Sequence, residues 1–291
     1  PALALTLELR AEIGALIERI AGRAGEHRLS EHSFANLVLF RRAHDYRYVR
    51  GPHPYLLGRT YDGVPHLMPL APLEPGLLHA LRPALPAGGC FYPIADWQLT
   101  GVPGNGFTAQ SSADDADYLY PAENFVHYRG TVLNKKRNVV RQLLARHAVR
   151  SEPYSAATQD AAKAVLAGWM HDKRLPAGGA DETECLQALA EAAPLGLIGQ
   201  LHFVDGMPAG FILAERLAPG VFAVRFAKGR ACFVGLVPFM FQHFCVAAPE
   251  TVSWLNFEQD LGRPNFRQTK QSYKPARLLP KWRLWPADAP A

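Results

Sequence analysis

The chain has 291 residues, 48% of them hydrophobic and 20% charged, an ordinary globular composition with enough apolar material for a sizeable core and, by length, about two domains. A formal charge of +5 and a pI near 9.1 favour an anionic partner without naming one, and solubility alone accounts for them equally well. Cys90, Cys185, Cys232 and Cys245 lack C-x-x-C spacing, so neither a zinc site nor a disulfide framework is indicated and a reduced, cytoplasmic setting is expected, while the longest apolar run, Val234 to Ala248, is too short to span a bilayer.

Leu5, Leu9, Ile13, Leu16, Ile17 and Ile20 recur at helical spacing, predicting an amphipathic helix that ends near Gly22. Its interspersed Glu8, Arg10, Glu12, Glu18 and Arg19 are foreign to a signal-peptide core. Alternating aromatic and apolar residues through Tyr46, Tyr48, Tyr55 and Leu57 predict short strands. Asp62-Gly63 and Asp205-Gly206 each lie between apolar runs and are each followed by a proline two residues on. Both predict two-residue type I′ hairpins, and their half-chain separation predicts two copies of one domain. Leu73 to Leu81 predicts a short helix, Cys90 to Pro93 a strand end, and Gly101 to Asp117 a mobile loop. Val132, Leu133, Val139, Val140, Leu143 and Leu144 form the apolar face of a helix whose other face carries Lys135, Lys136, Arg137, Arg141 and Arg146.

Ser151 to Thr158, with Pro153, marks the expected boundary between domains 1–150 and 151–291. The second half predicts helices at 161–170 and 181–192, then strands at 197–204, 211–215 and 221–227. After Lys228-Gly229-Arg230 a helix is expected over 234–244, with backbone amides at its start open to an anion. Val252, Trp254 and Leu255 end a buried strand, and Asn256, Glu258, Asp260 and Gly262 follow at once. Polar groups crowded at a strand end are where α/β proteins place chemistry.

Several of these pieces together resemble the DUF2156 family, which is similar to the C-terminal domain of phosphatidylglycerol lysyltransferase. They are Ser30-Glu31-x-x-Phe34-Ala35-Asn36-Leu37, Asp117-Tyr118-Leu119-Tyr120, Lys135-Lys136-Arg137-Asn138, Asp205-Gly206, Asn256-x-Glu258-Gln259-Asp260-Leu261-Gly262 and Lys270-x-Ser272-Tyr273-Lys274-Pro275. The resemblance implies an α/β (α+β) chain of two tandem GNAT-like domains, each a mixed, mostly antiparallel sheet flanked by helices. It implies transfer of an aminoacyl group from aminoacyl-tRNA to a lipid or small-molecule acceptor. The family usually has Glu-Lys where this chain has Ala227-Lys228, and no stretch here corresponds to the membrane-spanning half of the lipid-modifying relatives.

Acyl transfer needs a proton acceptor near the nucleophile and donors near the developing oxyanion. Glu258 and Asp260, two apart and on one side of an extended chain, are the candidate catalytic pair; an internal ion network with Arg263, Arg267 or Lys270 is the alternative. Lys228, Asn256, Arg267, Lys270 and Tyr273 are the candidate substrate-binding residues. Lys135, Lys136, Arg137 and Asn138, with Gly229 and Arg230, are the candidates for the donor, which is aminoacyl-tRNA or acyl-CoA as co-substrate. No bound cofactor or metal is expected, the acceptor is a small molecule or peptide, and peripheral membrane contact stays open. An acyl-CoA-dependent N-acetyltransferase is the second reading, and a non-catalytic binding protein on the same fold the third.

Overall fold

A computed structural model describes residues 2–287 except 101, 103 and 105. Contacts divide the chain into two units: Pro1–Tyr118, Gln259–Arg267 and Arg277–Ala291 form unit 1, and Leu119–Glu258 with Gln268–Ala276 forms unit 2. The division falls after Tyr118 instead of at residue 150, and two C-terminal segments return to unit 1. The strands are β1 (Ala2–Ala4), β2 (Arg47–Val49), β3 (Tyr55–Arg59), β4 (Pro65–Pro69), β5 (Cys90–Ala95), β6 (Phe107–Ser111), β7 (Asp117–Pro121), β8 (Val149–Pro153), β9 (Leu197–Val204), β10 (Met207–Ala218), β11 (Val221–Gly229), β12 (Trp254–Asn256), β13 (Arg277–Leu279) and β14 (Lys281–Pro286). The helices are α1 (Arg10–Ala21), α2 (Phe34–Leu39), α3 (Pro75–Leu81), α4 (Glu123–His127), α5 (Asn134–Arg146), α6 (Gln159–Asp172), α7 (Glu182–Ala190), α8 (Ala192–Leu195), α9 (Leu236–Ala247) and α10 (Pro264–Gln271).

In unit 1 the sheet order is β1-β2-β3-β4-β5-β14-β6. Four antiparallel strands are followed by the parallel pair β4·β5, and β14 then runs antiparallel to β5 and β6. Unit 2 repeats the plan: β8-β9-β10-β11 are antiparallel, β11·β12 is parallel, and β7 runs antiparallel to β12. Both units are GNAT-like: mixed, mostly antiparallel sheets flanked by helices. In each, the sixth strand comes from a distant stretch of chain, β14 in one and β7 in the other.

The two Asp-Gly turns are not equivalent positions of this repeat. Asp62-Gly63 joins the third and fourth strands of its sheet, whereas Asp205-Gly206 joins the second and third of its own. Only the latter has both residues left-handed, at φ of 51° and 81°, as a type I′ turn requires. The former is a three-residue loop closed by Thr60 and Val64, with Gly63 alone at positive φ. Two further expectations are corrected. The predicted loop over 101–117, three of whose residues lie outside those described, contains strand β6, and the predicted linker around Pro153 is strand β8.

The core of unit 1 packs α3 on the sheet through Leu67, Leu77, Leu78, Phe91, Ile94 and Leu284. Beside it lies a buried polar knot: the Lys281 ammonium reaches Asp117 at 2.6 Å, Glu31 at 2.7 Å and Ser30 Oγ at 3.2 Å, and also bonds Gln259. Burial raises the Glu31 pKa, with Lys281 opposing and Asp117 adding to the rise. In unit 2, Gly210 lets α9 approach β10, because a Cβ there would stand 2.6 Å from the Met240 sulfur.

Candidate active site

In unit 2, β11 and β12 pair only over Val221–Ala223 and Trp254–Asn256, so the rest of β11 has no ladder partner from β12. At that divergence the β10·β11 register slips: Leu213 pairs with Phe226 and Ala214 with Val224, which leaves Arg225 as the extra residue of a bulge. Bulges re-aim side chains. The fully buried Arg225 guanidinium bonds Glu215 Oε2 at 2.7 and 3.0 Å and also bonds Glu258. Burial lowers the pKa of Arg225, but the two carboxylates more than reverse that and keep it charged.

Glu258 itself sits at φ 59°, a conformation that costs a non-glycine residue about 1–3 kcal/mol and is held only by its surroundings. The Asn256 side chain accepts its amide at 2.7 Å, and the Lys270 ammonium caps the carbonyls of Phe257 and Glu258 at 2.6 and 3.1 Å. The chain after Asn256 is therefore not extended. The expectation that Glu258 and Asp260 face one way is corrected, and the two residues fall in different units.

Further along β11, Lys228 is buried on the side of α6 and α7. Its ammonium lies 2.6 Å from Asp181 and 4.0 Å from the centroid of Trp169, an ion pair combined with a cation–π contact. Arg230 lies across Gly168 and holds Asp172 at 2.8 and 3.2 Å, and the Ala231 amide donates to the same carboxylate at 2.9 Å. The Arg230 guanidinium and this amide hold the Asp172 pKa down at about 2. The start of α9 is partly closed in other ways. Leu236 N–H donates to Phe233 carbonyl, Pro238 brings no amide to the first turn, and Gly235, at φ 95°, is pressed so closely on α5 that a Cβ would lie 2.2 Å from the Val139 carbonyl. Gly229 is buried beneath Val237.

In unit 1, Asp260 is completely buried. It accepts from Arg267 at 2.7 and 2.9 Å, from the Tyr118 hydroxyl at 2.6 Å and from the Gly262 amide at 2.9 Å, while Arg267 also bonds Asp114. Burial alone raises its pKa, but Arg267, Tyr118 and Gly262 together leave it below the usual carboxylate range.

On α5 in unit 2, Lys135 and Asn138 are exposed and Lys136 and Arg137 half-buried. Arg137 donates to the Tyr128 carbonyl at 3.2 Å and Asn134 at 2.7 Å, leaving its buried Nε without a partner among the described residues. Lys136 lies 4.0 Å over the ring of Tyr273, and burial, then the charge of Lys135, lowers its pKa. Tyr273 is buried among Phe125, Phe241 and Phe257. Among the described residues no helix is long and apolar enough to cross a membrane, and no group of three or more His, Cys, Asp or Glu could hold a metal ion.

Residues 23–285 match the family model described as phosphatidylglycerol lysyltransferase, C-terminal. The chain belongs to that family. No curated protein matches its sequence. Among solved structures, a conserved protein of unknown function from Bacteroides thetaiotaomicron superposes with a TM-score of 0.82 at 20% identity, over 98% of both chains. The L-PGS of Bacillus licheniformis gives 0.61 at 14%, covering 96% of this chain and 92% of that one. The C-terminal (DUF2156) domain of a lysylphosphatidylglycerol synthetase candidate from Agrobacterium fabrum gives 0.59 at 16%, covering 94% and 91%. At these identities the structures establish a shared fold. The reaction class is supported by membership of the lysyltransferase C-terminal family, since transfer of a lysyl group is an acyl transfer.

Within this family member, the sequence reading passed over Arg225, Glu215, Asp181, Asp172 and Trp169. Arg225 and Glu215 left a signal, charges set inside the otherwise apolar strands Val221–Gly229 and Met207–Ala218. The other three become partners only when α6 and the start of α7 pack on β11, which no local pattern announces.

Proposed function

We propose that the chain is an aminoacyl-tRNA-dependent acyltransferase whose acceptor is a small molecule, peptide or lipid. Family membership supports the reaction class. The observation that favours this donor over acyl-CoA is the occupied β11–α9 loop. Asp172 fills the Ala231 amide and the Arg230 guanidinium, and Pro238 and Phe233 take two further positions at the start of α9. These contacts take up part of the cradle that backbone amides at a helix start otherwise offer a diphosphate.

In the transfer, the acceptor nucleophile attacks the carbonyl carbon of the aminoacyl ester. The ester oxygen of the nucleic acid leaves as a hydroxyl, taking up a proton equivalent to the one the nucleophile gives up. Glu258 is proposed as the acceptor of that proton, because Arg225 keeps a second carboxylate, Glu215, when Glu258 turns to substrate. Asn256 and Lys270 fix the backbone that carries Glu258, and Lys228 is proposed to meet an anionic part of the substrate. Asp260, with its oxygens already engaged by Arg267, Tyr118 and Gly262, is proposed to hold position and not to move a proton. Lys135, Arg137 and Asn138, extended along α5 by Arg141 and Arg146, are proposed to follow the donor's phosphates.

The test combines turnover with binding. Purified protein is mixed with tRNA carrying a labelled amino acid and a pool of small-molecule, peptide and lipid acceptors, and labelled product is counted. Transfer is expected, with Glu258→Gln lowering it by roughly 100-fold or more. Replacing Lys135, Lys136 and Arg137 with alanine is expected to weaken tRNA binding and flatten its dependence on salt by about one unit of slope per lost phosphate contact. Calorimetry with acetyl-CoA is expected to show no binding. The pairing of both candidate carboxylates favours a second reading, a binding protein without turnover, and tRNA binding with no transfer under any acceptor would establish it instead.

A further inference from the structure

Unit 1 carries a cleft of about 1190 Å³ that the reaction above does not use. It exceeds the roughly 300–1,000 Å³ of most small-molecule pockets. Trp97 and Leu278 line it with 41% and 45% of their surfaces exposed, a large share for an indole and a leucine. Arg19, Arg23 and Arg277 bring positive charge to the same lining, with His27 beside them. Its two acids are already engaged: Glu18 pairs with Arg28 at 2.7 Å, and Asp96 accepts from the Trp282 indole at 3.1 Å. Arg277 is held by Glu26 and His27, whereas neither Arg19 nor Arg23 forms an ion pair with another described residue.

The indole is held in place. Trp97 sits in the short turn Asp96–Gln98, which is fixed by the Asp96–Trp282 bond and by Gln98 accepting the Ala95 amide at 2.9 Å. The buried ring of His32 meets Trp97 edge-on, 6.4 Å between centroids at 63°. A ligand stacking there would pay little to order its platform. Two guanidinium groups without carboxylate partners match the charge of a phosphate, and their planar forks suit its oxygens.

We infer that this cleft binds a ring-bearing organic phosphate of the nucleotide type, its ring on Trp97 and its phosphate on Arg19 and Arg23. A free nucleotide and the terminal nucleotide of a single strand share this chemistry. The site is independent of the transfer reaction proposed above.

Isothermal titration of the whole chain with AMP, a single-stranded trinucleotide and inorganic phosphate tests it. AMP or the trinucleotide is expected to bind at least tenfold more tightly than inorganic phosphate. Trp97→Ala is expected to weaken that ligand by tenfold or more while leaving phosphate unaffected, as stacking worth about 1–3 kcal/mol per base requires. Arg19→Ala with Arg23→Ala is expected to weaken it similarly and to flatten its salt dependence. All three positions are exposed, and circular dichroism checks that the variants are folded. Binding of AMP identifies a free-nucleotide site, and binding of the trinucleotide alone identifies a strand-end site. Organic phosphates no tighter than inorganic phosphate, or binding that folded Trp97→Ala leaves intact, would overturn the assignment.

Discussion

Asp260 and Arg225 illustrate opposite ways in which a buried charge is tolerated. Asp260 gathers donors from three residues, and its pKa falls. Because the folded-state value lies below the unfolded one, the ionised carboxylate stabilises the fold above the ordinary aspartate range. That contribution is lost as pH falls through about 4 and below. Thermal unfolding followed from pH 7 to 3 is expected to show a steeper acid loss in the native protein than in Asp260→Asn, which lacks the titrating group; equal slopes would contradict this. Arg225 instead lies between two carboxylates, and removing it leaves both facing each other with little water. Arg225→Met is expected to lower unfolding free energy by about 3–5 kcal/mol in a urea titration.

At the scale of elements, α5 and the start of α9 meet at Gly235. Gly235 is required there twice over, by its φ of 95° and by its approach to the Val139 carbonyl. Gly235→Ala is expected to cost at least about 1–3 kcal/mol from the backbone conformation alone, read by chemical denaturation. Three of the strands that sequence patterns missed share one position, while β7 and β14 were missed in the interior of their sheets. β1, β6 and β8 each stand at an end of their sheet's hydrogen-bonded order within their unit. Edge strands carry polar residues that discourage further pairing, so Phe107–Ser111 and Val149–Pro153 resemble a loop and a linker when read as sequence. The central strands β9, β10 and β11 were legible because burial on the sheet writes long apolar runs into them.

At the scale of the molecule, the two units share a strand plan yet neither is continuous in sequence. Unit 1 takes its penultimate sheet strand, β14, from the far end of the described chain, and the Lys281 ammonium on that strand ties it to Glu31 and Asp117. Lys281→Met would leave two carboxylates buried without their cation, a loss of about 3–5 kcal/mol. Hydrogen exchange is expected to quicken in β5 and β6, which flank β14, more than in β9 to β11. Uniform protection across both sheets would show that the knot does not hold unit 1.

The sequence by itself determined most of the helices, the buried strands β9 to β12, the repeated GNAT-like plan through its family resemblance, and the stretch where polar groups crowd behind Trp254. Apolar periodicity and turn residues are local, and they survive without knowing what packs where. Only the tertiary structure decided the chemistry of that stretch. Whether Glu258 and Asp260 are open acids or paired ones depends on Arg225, Arg267 and Tyr118, which arrive from 33, 7 and 142 residues away. Charge partnership is fixed by distance in space, and a carboxylate's neighbours in the chain do not reveal it.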